Sequence, residues 1–201
     1  MIDTEHGPAS VETDGTSGRA RFLMVLTHGS GGGVDSADLL AARDAAAGLG
    51  GAVARVVQPY RLRGGRAPGS AARQDEAWLE IIARLRAEFA GLPLVQGGRS
   101  NGARVACRTA PAAGALGVLA LAFPLHPPGQ PERSRREELR AAGTSVLVIN
   151  GSRDPFGVPA GSDAAKIVVL AGQTHALAGG AARISAEVTE WLAGLLSGQE
   201  R

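Results

Sequence analysis

Three residues whose types together support nucleophilic catalysis occur in the chain order Ser100, Asp154, His175. A serine hydroxyl is a weak nucleophile near neutral pH, so it needs an imidazole to accept its proton and a carboxylate to fix the imidazole tautomer. The three residues therefore predict acyl transfer through Ser100. Asp163 is the alternative acid. We favour Asp154 because it directly follows a predicted strand and precedes a proline, whereas Asp163 lies late in a connecting loop.

Ser100 lies in the segment Gly98-Arg-Ser-Asn-Gly102, with a glycine two positions to either side. Apolar residues precede this segment, and a stripe of small residues at helical spacing follows it. A strand that turns sharply into a helix around such a serine is typical of a nucleophile elbow, in which side chains at the two glycine positions would collide with strand and helix. A surface turn rich in glycine and serine is the alternative interpretation, and the flanking pattern favours the elbow.

Two features predict N–H donors for the negative charge that develops on a substrate carbonyl oxygen. The first is the backbone of Asn101, at the start of the helix after Ser100, where N–H groups lack helical partners. The second is the glycine-rich loop 28–33 after the first predicted strand, in which Gly29 and Ser30 are the candidates. A phosphate-binding loop is the alternative. It is less favoured because the spacing matches neither the dinucleotide fingerprint nor the P-loop, and no lysine follows.

Four basic residues are candidates for substrate binding, namely His126, Arg61, Arg63 and Arg99. Arg61 and Arg63 share with Arg66 a loop that could hold an anionic substrate, although arginines in such loops are more often solvated. His126 lies in a proline-rich segment at the end of a predicted strand, where a structural histidine is the alternative. Arg99 directly precedes the candidate nucleophile.

The strands and helices that position these residues are indicated by a sequence pattern. From residue 21 onward, short apolar runs alternate with amphipathic segments. The pattern predicts an α/β protein with a mostly parallel sheet of about six strands and helices on both faces. Residues that follow the carboxyl ends of parallel strands meet at one edge of the sheet. Residues 20–201 are predicted to form a single domain without a cap, and the polar residues 1–19 a disordered tail.

Five segments together resemble a known group of proteins: 27–32, 97–102, 123–128, 150–157 and His175. The group is the small lidless α/β-hydrolases related to dienelactone hydrolase, and in particular the branch that contains testis-expressed protein 30. The resemblance covers about residues 22 to 197 and implies the α/β-hydrolase fold and a Ser-Asp-His triad. Dienelactone hydrolase itself uses a cysteine, so Ser100 departs from that enzyme. The branch also includes a scaffold-like chromatin subunit, which implies an alternative to catalysis.

The composition narrows the function classes. The 201 residues carry a formal net charge of +2 with interspersed acids and only 3% aromatic residues, a poor match to a nucleic-acid surface. The single cysteine excludes an internal disulfide, and no apolar segment approaches a membrane span in length. We expect a cytoplasmic serine hydrolase that acts on a small ester or related acyl compound without a metal or organic cofactor. The alternative is a non-catalytic interaction or ligand-binding module, and the oligomeric state is left open.

Overall fold

The computed structural model describes residues 1–15 and 20–198. Its strands are β1 (Ile2–Thr4), β2 (Gly7–Asp14), β3 (Phe22–Thr27), β4 (Gly51–Val57), β5 (Leu94–Arg99), β6 (Gly117–Leu121), β7 (Ser145–Gly151) and β8 (Lys166–Leu170). Its helices are α1 (Ala37–Gly48), α2 (Pro59–Leu62), α3 (Ala71–Glu88), α4 (Asn101–Ala113), α5 (Arg136–Arg140) and α6 (Ala181–Ser197).

One sheet of eight strands organises the described part of the chain, in the order β1-β2-β4-β3-β5-β6-β7-β8. The six strands β3 to β8 pair in parallel with their neighbours in the sheet. Strands β1 and β2 are added at the edge beside β4 and are antiparallel. Strands β3 and β6 in the middle of the sheet are continuous, almost entirely apolar runs in which every residue is buried, as expected for strands with both faces covered. The predicted α/β fold with a mostly parallel sheet is confirmed, with eight strands in place of about six.

The two additional strands correct the prediction of a disordered tail over residues 1–19. Residues 2–14 form β1 and β2, and β2 pairs with β4 from Ser10 opposite Val57 to Asp14 opposite Val53. Their acidic residues bind the buried guanidinium of Arg55 on β4, at 2.7 Å from Asp14 and 2.8 Å from Glu12. A segment that is polar in sequence is therefore ordered by backbone pairing and by ion pairs to a distant residue. Residues 16–19 of the predicted tail lie outside the described residues.

Helices cover both faces of the sheet. On one face α1 and α6 pack on the strands and on each other, through side chains that include Leu39, Ile184 and Leu192. On the other face α3 packs through Trp78, Ile81 and Leu85, and α4 lies beside it. The stripe of small residues on α4 is fully buried against β5 and β6, which lets this helix lie close to the sheet (Ala103, Ala106, Cys107, Ala110).

Within residues 1–15 and 20–198, no cap covers the carboxyl edge of the parallel strands. The connection from β7 to β8 consists of turns and irregular backbone, without a helix, in the described chain. Among residues 1–15 and 20–198, no helix combines the length and apolar character needed to cross a bilayer.

Candidate active site

Ser100 occupies the turn between β5 and α4. Its backbone has φ 53° and ψ −113°, a conformation that L-residues rarely adopt. The Ser100 N–H donates to the carbonyl oxygen of Leu121, at the end of the neighbouring strand β6, over 2.8 Å. The sheet therefore holds the serine in its strained conformation, and the side chain stands clear of the strand and lines a surface cleft.

The two flanking glycines are required by the backbone around them. A Cβ atom on Gly98 would lie 2.7 Å from the Gly102 carbonyl carbon and 2.7 Å from the Thr27 carbonyl oxygen. A Cβ atom on Gly102 would lie 2.7 Å from the carbonyl oxygens of both Thr27 and His28. Because these atoms belong to the main chain, no side-chain movement could relieve the collisions. This is the close approach of strand and helix that the glycine spacing predicts.

His175 lies between Ser100 and Asp154. Its Nε2 atom is 2.9 Å from Ser100 Oγ, and its Nδ1 atom is 2.8 Å from Asp154 Oδ2. Asp154 follows β7, its side chain is fully buried, and its other oxygen accepts the backbone N–H of Phe156 over 2.9 Å. The Phe156 ring packs on the imidazole, with the ring centroids 4.3 Å apart. Both the tilt of the imidazole and the direction of the carboxylate are thereby restrained.

Asp163, the alternative acid, is placed elsewhere. Its buried carboxylate pairs with two arginines on α5, at 2.9 Å from Arg140 and 3.2 Å from Arg136. Its second oxygen accepts the backbone N–H of Ala160 over 2.9 Å. Asp163 thus ties α5 to the loop after β7 and makes no contact with His175.

The glycine-rich loop lies directly against the serine. A Cβ atom on Gly29 would be 3.2 Å from Ser100 Cβ, and Gly29, Ser30 and Asn101 all line the cleft. The N–H of Asn101 is the first of α4, where helical acceptors are missing. The three residues predicted as oxyanion donors are therefore brought together beside Ser100 Oγ.

The buried His28 fixes the start of this loop. Its Nδ1 atom donates to the carbonyl oxygen of Gly29 over 2.8 Å, and its Nε2 atom accepts the backbone N–H of Gln58 over 3.0 Å. Since Nε2 is an acceptor, the imidazole must be neutral, and burial lowers the pKa of His28. The ring anchors the Gly29 carbonyl away from the cleft.

Comparison with known proteins agrees with this architecture. The sequence pattern of a family described as an alpha/beta hydrolase domain matches residues 20–181. The chain belongs to this α/β-hydrolase family. No curated protein matches the sequence. The closer resemblance to the branch of testis-expressed protein 30 stays a prediction.

Several solved α/β-hydrolase structures are similar to the chain. Est1E from Butyrivibrio proteoclasticus is 13% identical, with a TM-score of 0.79 and 98% of each chain covered. An alpha-beta serine hydrolase homologue from Coxiella burnetii is 16% identical, with a TM-score of 0.75 and 95% of each chain covered. A serine hydrolase without lid from Xanthomonas campestris is 18% identical, with a TM-score of 0.71 and coverage of 94% of this chain and 90% of that one. At these identities the likeness shows a shared fold.

Three of the four predicted substrate-binding residues lie outside the cleft of this α/β-hydrolase. Arg61 donates to the carbonyl oxygens of Gly32 and Gly65, and Arg63 donates to the carbonyl oxygen of His6. His126 bonds through Nδ1 to its neighbour's carbonyl oxygen, and its ring packs against Gly157. The two arginines stabilise loops, and the histidine supports the turn after Asp154. None of the three lines the cleft, so the prediction that they bind substrate is not supported by their positions.

Arg99, the fourth predicted residue, does line the cleft, but its side chain is already engaged. Its Nε atom donates to the fully buried carboxylate of Asp38 over 2.9 Å, and its Nη2 atom donates to the carbonyl oxygen of His175 over 2.8 Å. Arg99 therefore connects α1 to the loop that carries the imidazole. This is a positioning contact that the sequence did not indicate.

The cleft has a volume of about 380 Å³ and is bounded by further residues that sequence reasoning missed. Phe156, Pro124, Arg104 and Arg135 are among them. Arg104 could have been found, because it lies four residues after Ser100 and so on the same face of α4. Nothing in the local sequence distinguishes Arg135 from the other arginines of its charged segment.

Proposed function

We propose that the protein is a serine hydrolase that cleaves a small ester or related acyl compound through an acyl-enzyme on Ser100. The observation that carries the proposal is the unbroken series of contacts from Ser100 Oγ to His175 Nε2 and from His175 Nδ1 to Asp154 Oδ2, at 2.9 and 2.8 Å. Family membership and the fold shared with serine hydrolases support the reaction class.

In the proposed mechanism, Asp154 accepts the N–H of His175 Nδ1, which leaves the lone pair of Nε2 free for the serine proton. As Ser100 Oγ bonds to the substrate carbonyl carbon, its proton moves to Nε2. The carbonyl oxygen becomes an oxyanion, which accepts the backbone N–H groups of Asn101 and of the loop at Gly29 and Ser30. Collapse breaks the bond to the leaving group, which takes the proton from Nε2.

The second half of the reaction restores the enzyme. A water molecule gives a proton to His175 Nε2 and bonds to the acyl carbon, and the bond to Ser100 Oγ then breaks as that oxygen regains the proton. The carboxylate of Asp154 stabilises the imidazolium that forms in both halves. No step requires a group beyond these side chains, backbone donors and water.

The shape of the site favours a small substrate. The cleft of about 380 Å³ lies at the low end of ligand-binding pockets, and the short β7–β8 connection adds no cap above it. An acyl chain longer than a few carbons would project into solvent and gain little burial.

A fluorophosphonate probe tests the proposal, because it reacts with an activated serine far faster than with an ordinary one. We expect stoichiometric labelling of the folded protein, mapped to Ser100 by peptide mass spectrometry. Ser100→Ala should abolish labelling and lower kcat for 4-nitrophenyl acetate by about a thousandfold or more, after subtraction of the uncatalysed rate. Ser197→Ala, an exposed serine at the end of α6, is the matched control. Folded protein that does not react would favour the non-catalytic module.

A further inference from the structure

The proposed catalytic cleft is rich in positive charge. Three arginines line it, Arg99, Arg104 and Arg135, and none of its lining residues is a carboxylate. Such an arrangement raises the local concentration of anions. Whether the cleft can bind an anion depends on whether each guanidinium group already forms an ion pair with a carboxylate of the protein.

Two of the three arginines are compensated. Arg99 donates to the buried carboxylate of Asp38. Arg104 makes a two-pronged contact with Glu138, from Nε to one carboxylate oxygen over 2.7 Å and from Nη2 to the other over 2.6 Å. Both guanidinium groups therefore have a negative partner that does not itself line the cleft.

Arg135 differs from these two. Among the described residues its guanidinium makes one hydrogen bond, from Nη1 to the carbonyl oxygen of Pro124 over 3.0 Å, and no ion pair with a carboxylate. The nearby Glu138 is already shared by Arg104 and Arg108. Partial burial and the charge of Arg104 lower the pKa of Arg135, so the cation lies in surroundings that disfavour its charge. An anion bound beside Arg135 would supply the missing negative charge and stabilise the cation.

We propose that Arg135 binds an anionic group of the substrate, so that the enzyme acts on short acyl esters that carry a carboxylate or phosphate. The inference rests on the proposed function, since it names the substrate class of the same cleft. A guanidinium with free donors presents a planar fork that matches the two oxygens of such a group. The small cleft limits the distance between the ester and the anion to a short chain.

Matched pairs of esters test the proposal. 4-Nitrophenyl hydrogen glutarate and 4-nitrophenyl pentanoate have five-carbon acyl chains and differ in a terminal carboxylate. With uncatalysed hydrolysis subtracted, we expect kcat/KM to be at least tenfold higher for the glutarate. Arg135→Gln should lower this ratio about tenfold or more. Arg135→Lys, which keeps the charge without the fork, should keep part of the preference. Arg133→Gln, an exposed arginine outside the cleft, should leave the ratio unchanged.

A binding measurement separates failure of this inference from failure of the proposed function. In the Ser100→Ala background, calorimetry would compare methyl hydrogen glutarate, neutral dimethyl glutarate and inorganic phosphate. We expect the anionic ester to bind and the further change Arg135→Gln to weaken it at least tenfold. Tighter binding of phosphate than of glutarate, with the same dependence on Arg135, would identify a phosphate-bearing substrate.

Different results would overturn the anion site and the proposed function. Equal binding of the neutral and anionic esters, or an ester preference that survives Arg135→Gln in folded protein, would overturn the anion site whatever the catalytic result. Absence of both fluorophosphonate labelling and ester hydrolysis would overturn the proposed function, and the calorimetric titrations would still decide whether Arg135 binds an anion.

Discussion

Asp154→Asn is the substitution that best tests whether Asp154, and not Asp163, is the acid that pairs with His175. Asp154 Oδ1 accepts the N–H of Phe156 and Oδ2 faces His175 Nδ1. The asparagine oxygen is expected to keep the bond to Phe156, which turns the amide nitrogen toward Nδ1. Two N–H donors cannot face each other, so the imidazole proton should move to Nε2. That nitrogen then has no lone pair for the proton of Ser100.

The expected loss follows from the tautomer. A wrong tautomer in an otherwise intact triad lowers kcat on the order of ten thousandfold. Because Asp154 lies behind the imidazole and is not a lining residue of the cleft, KM should change little. The side chain keeps its volume and the bond to Phe156, so the free energy of unfolding should stay within about 1 kcal/mol of the parent.

Asp163→Asn is the matched control, with the opposite expectation. It removes the ion pairs to Arg136 and Arg140, whose side chains are 44% and 43% exposed, and it keeps an acceptor for Ala160. We expect the free energy of unfolding to fall by about 1–2 kcal/mol, because the two arginines lose their buried ionic partner but are themselves partly screened by water. The value of kcat should stay within about twofold of the parent, as Asp163 has no contact with the site.

The assay is steady-state hydrolysis of 4-nitrophenyl acetate together with urea unfolding of both variants. Full activity of folded Asp154→Asn protein would refute the assignment of the acid, and loss of kcat in Asp163→Asn would point to the other carboxylate. Equal losses in both would mean that the contact with His175 does not control the tautomer.

Three further predictions concern the cleft, the elbow and the buried histidine. For 4-nitrophenyl esters, kcat/KM should be highest for acetyl and butyryl groups and fall for dodecanoyl, since the cleft offers no cover for a long chain; a steady rise with chain length would contradict this. Gly98→Ala should lower the free energy of unfolding by about 2 kcal/mol or more, because its Cβ would meet backbone atoms at 2.7 Å, whereas Gly161→Ala, whose Cβ would meet nothing within 4 Å, should change it by about 0.5 kcal/mol or less in the same urea titration. The pKa of His28 is lowered in the folded state, so the unfolded chain takes up the proton first and stability should fall as the pH drops below about 6.5; urea titrations from pH 8 to 5 should show a weaker dependence in His28→Asn, and an unchanged dependence would argue against the neutral, anchoring imidazole.

Most of the parallel sheet could be predicted because its strands are short and largely apolar, and β3 and β6 are almost continuous apolar runs. The strand β3 begins at Phe22, one residue after the alternation of apolar runs starts, and the last strand, β8, covers Lys166–Leu170. The charged segment 132–142 is different, since only Arg136–Arg140 is helical. Apart from Leu139 it has little to bury, and its first part is held by backbone bonds such as that from Arg135 N–H to the carbonyl oxygen of Leu125. A short helix, α2 (Pro59–Leu62), also forms at the start of the segment that was predicted as the loop of Arg61, Arg63 and Arg66.

The difference between regular strands and irregular loops also explains which site residues could be predicted. Ser100, Asp154 and His175 each follow the carboxyl end of a strand, so the order of the parallel sheet is enough to bring them together. Arg104 could have been read from its helical spacing to Ser100, but the positions of Phe156 and Arg135 in the cleft depend on irregular backbone, which local sequence pattern does not specify.

The segment between β6 and α5 shows why specificity is hardest to read from sequence. The path of residues 122–135 is set by bonds to other loops: Asn150 binds both backbone groups of Phe123, and His126 N–H donates to the carbonyl oxygen of Phe156. Those bonds tie the segment to the turn after Asp154, and the bond from Arg135 to the carbonyl oxygen of Pro124 places Arg135 at the rim of the cleft. The proposed catalytic residues thus follow the ends of strands in the sheet, whereas the proposed anion site depends on loop contacts. Changes in this segment should therefore alter which ester is preferred before they alter the attack by Ser100.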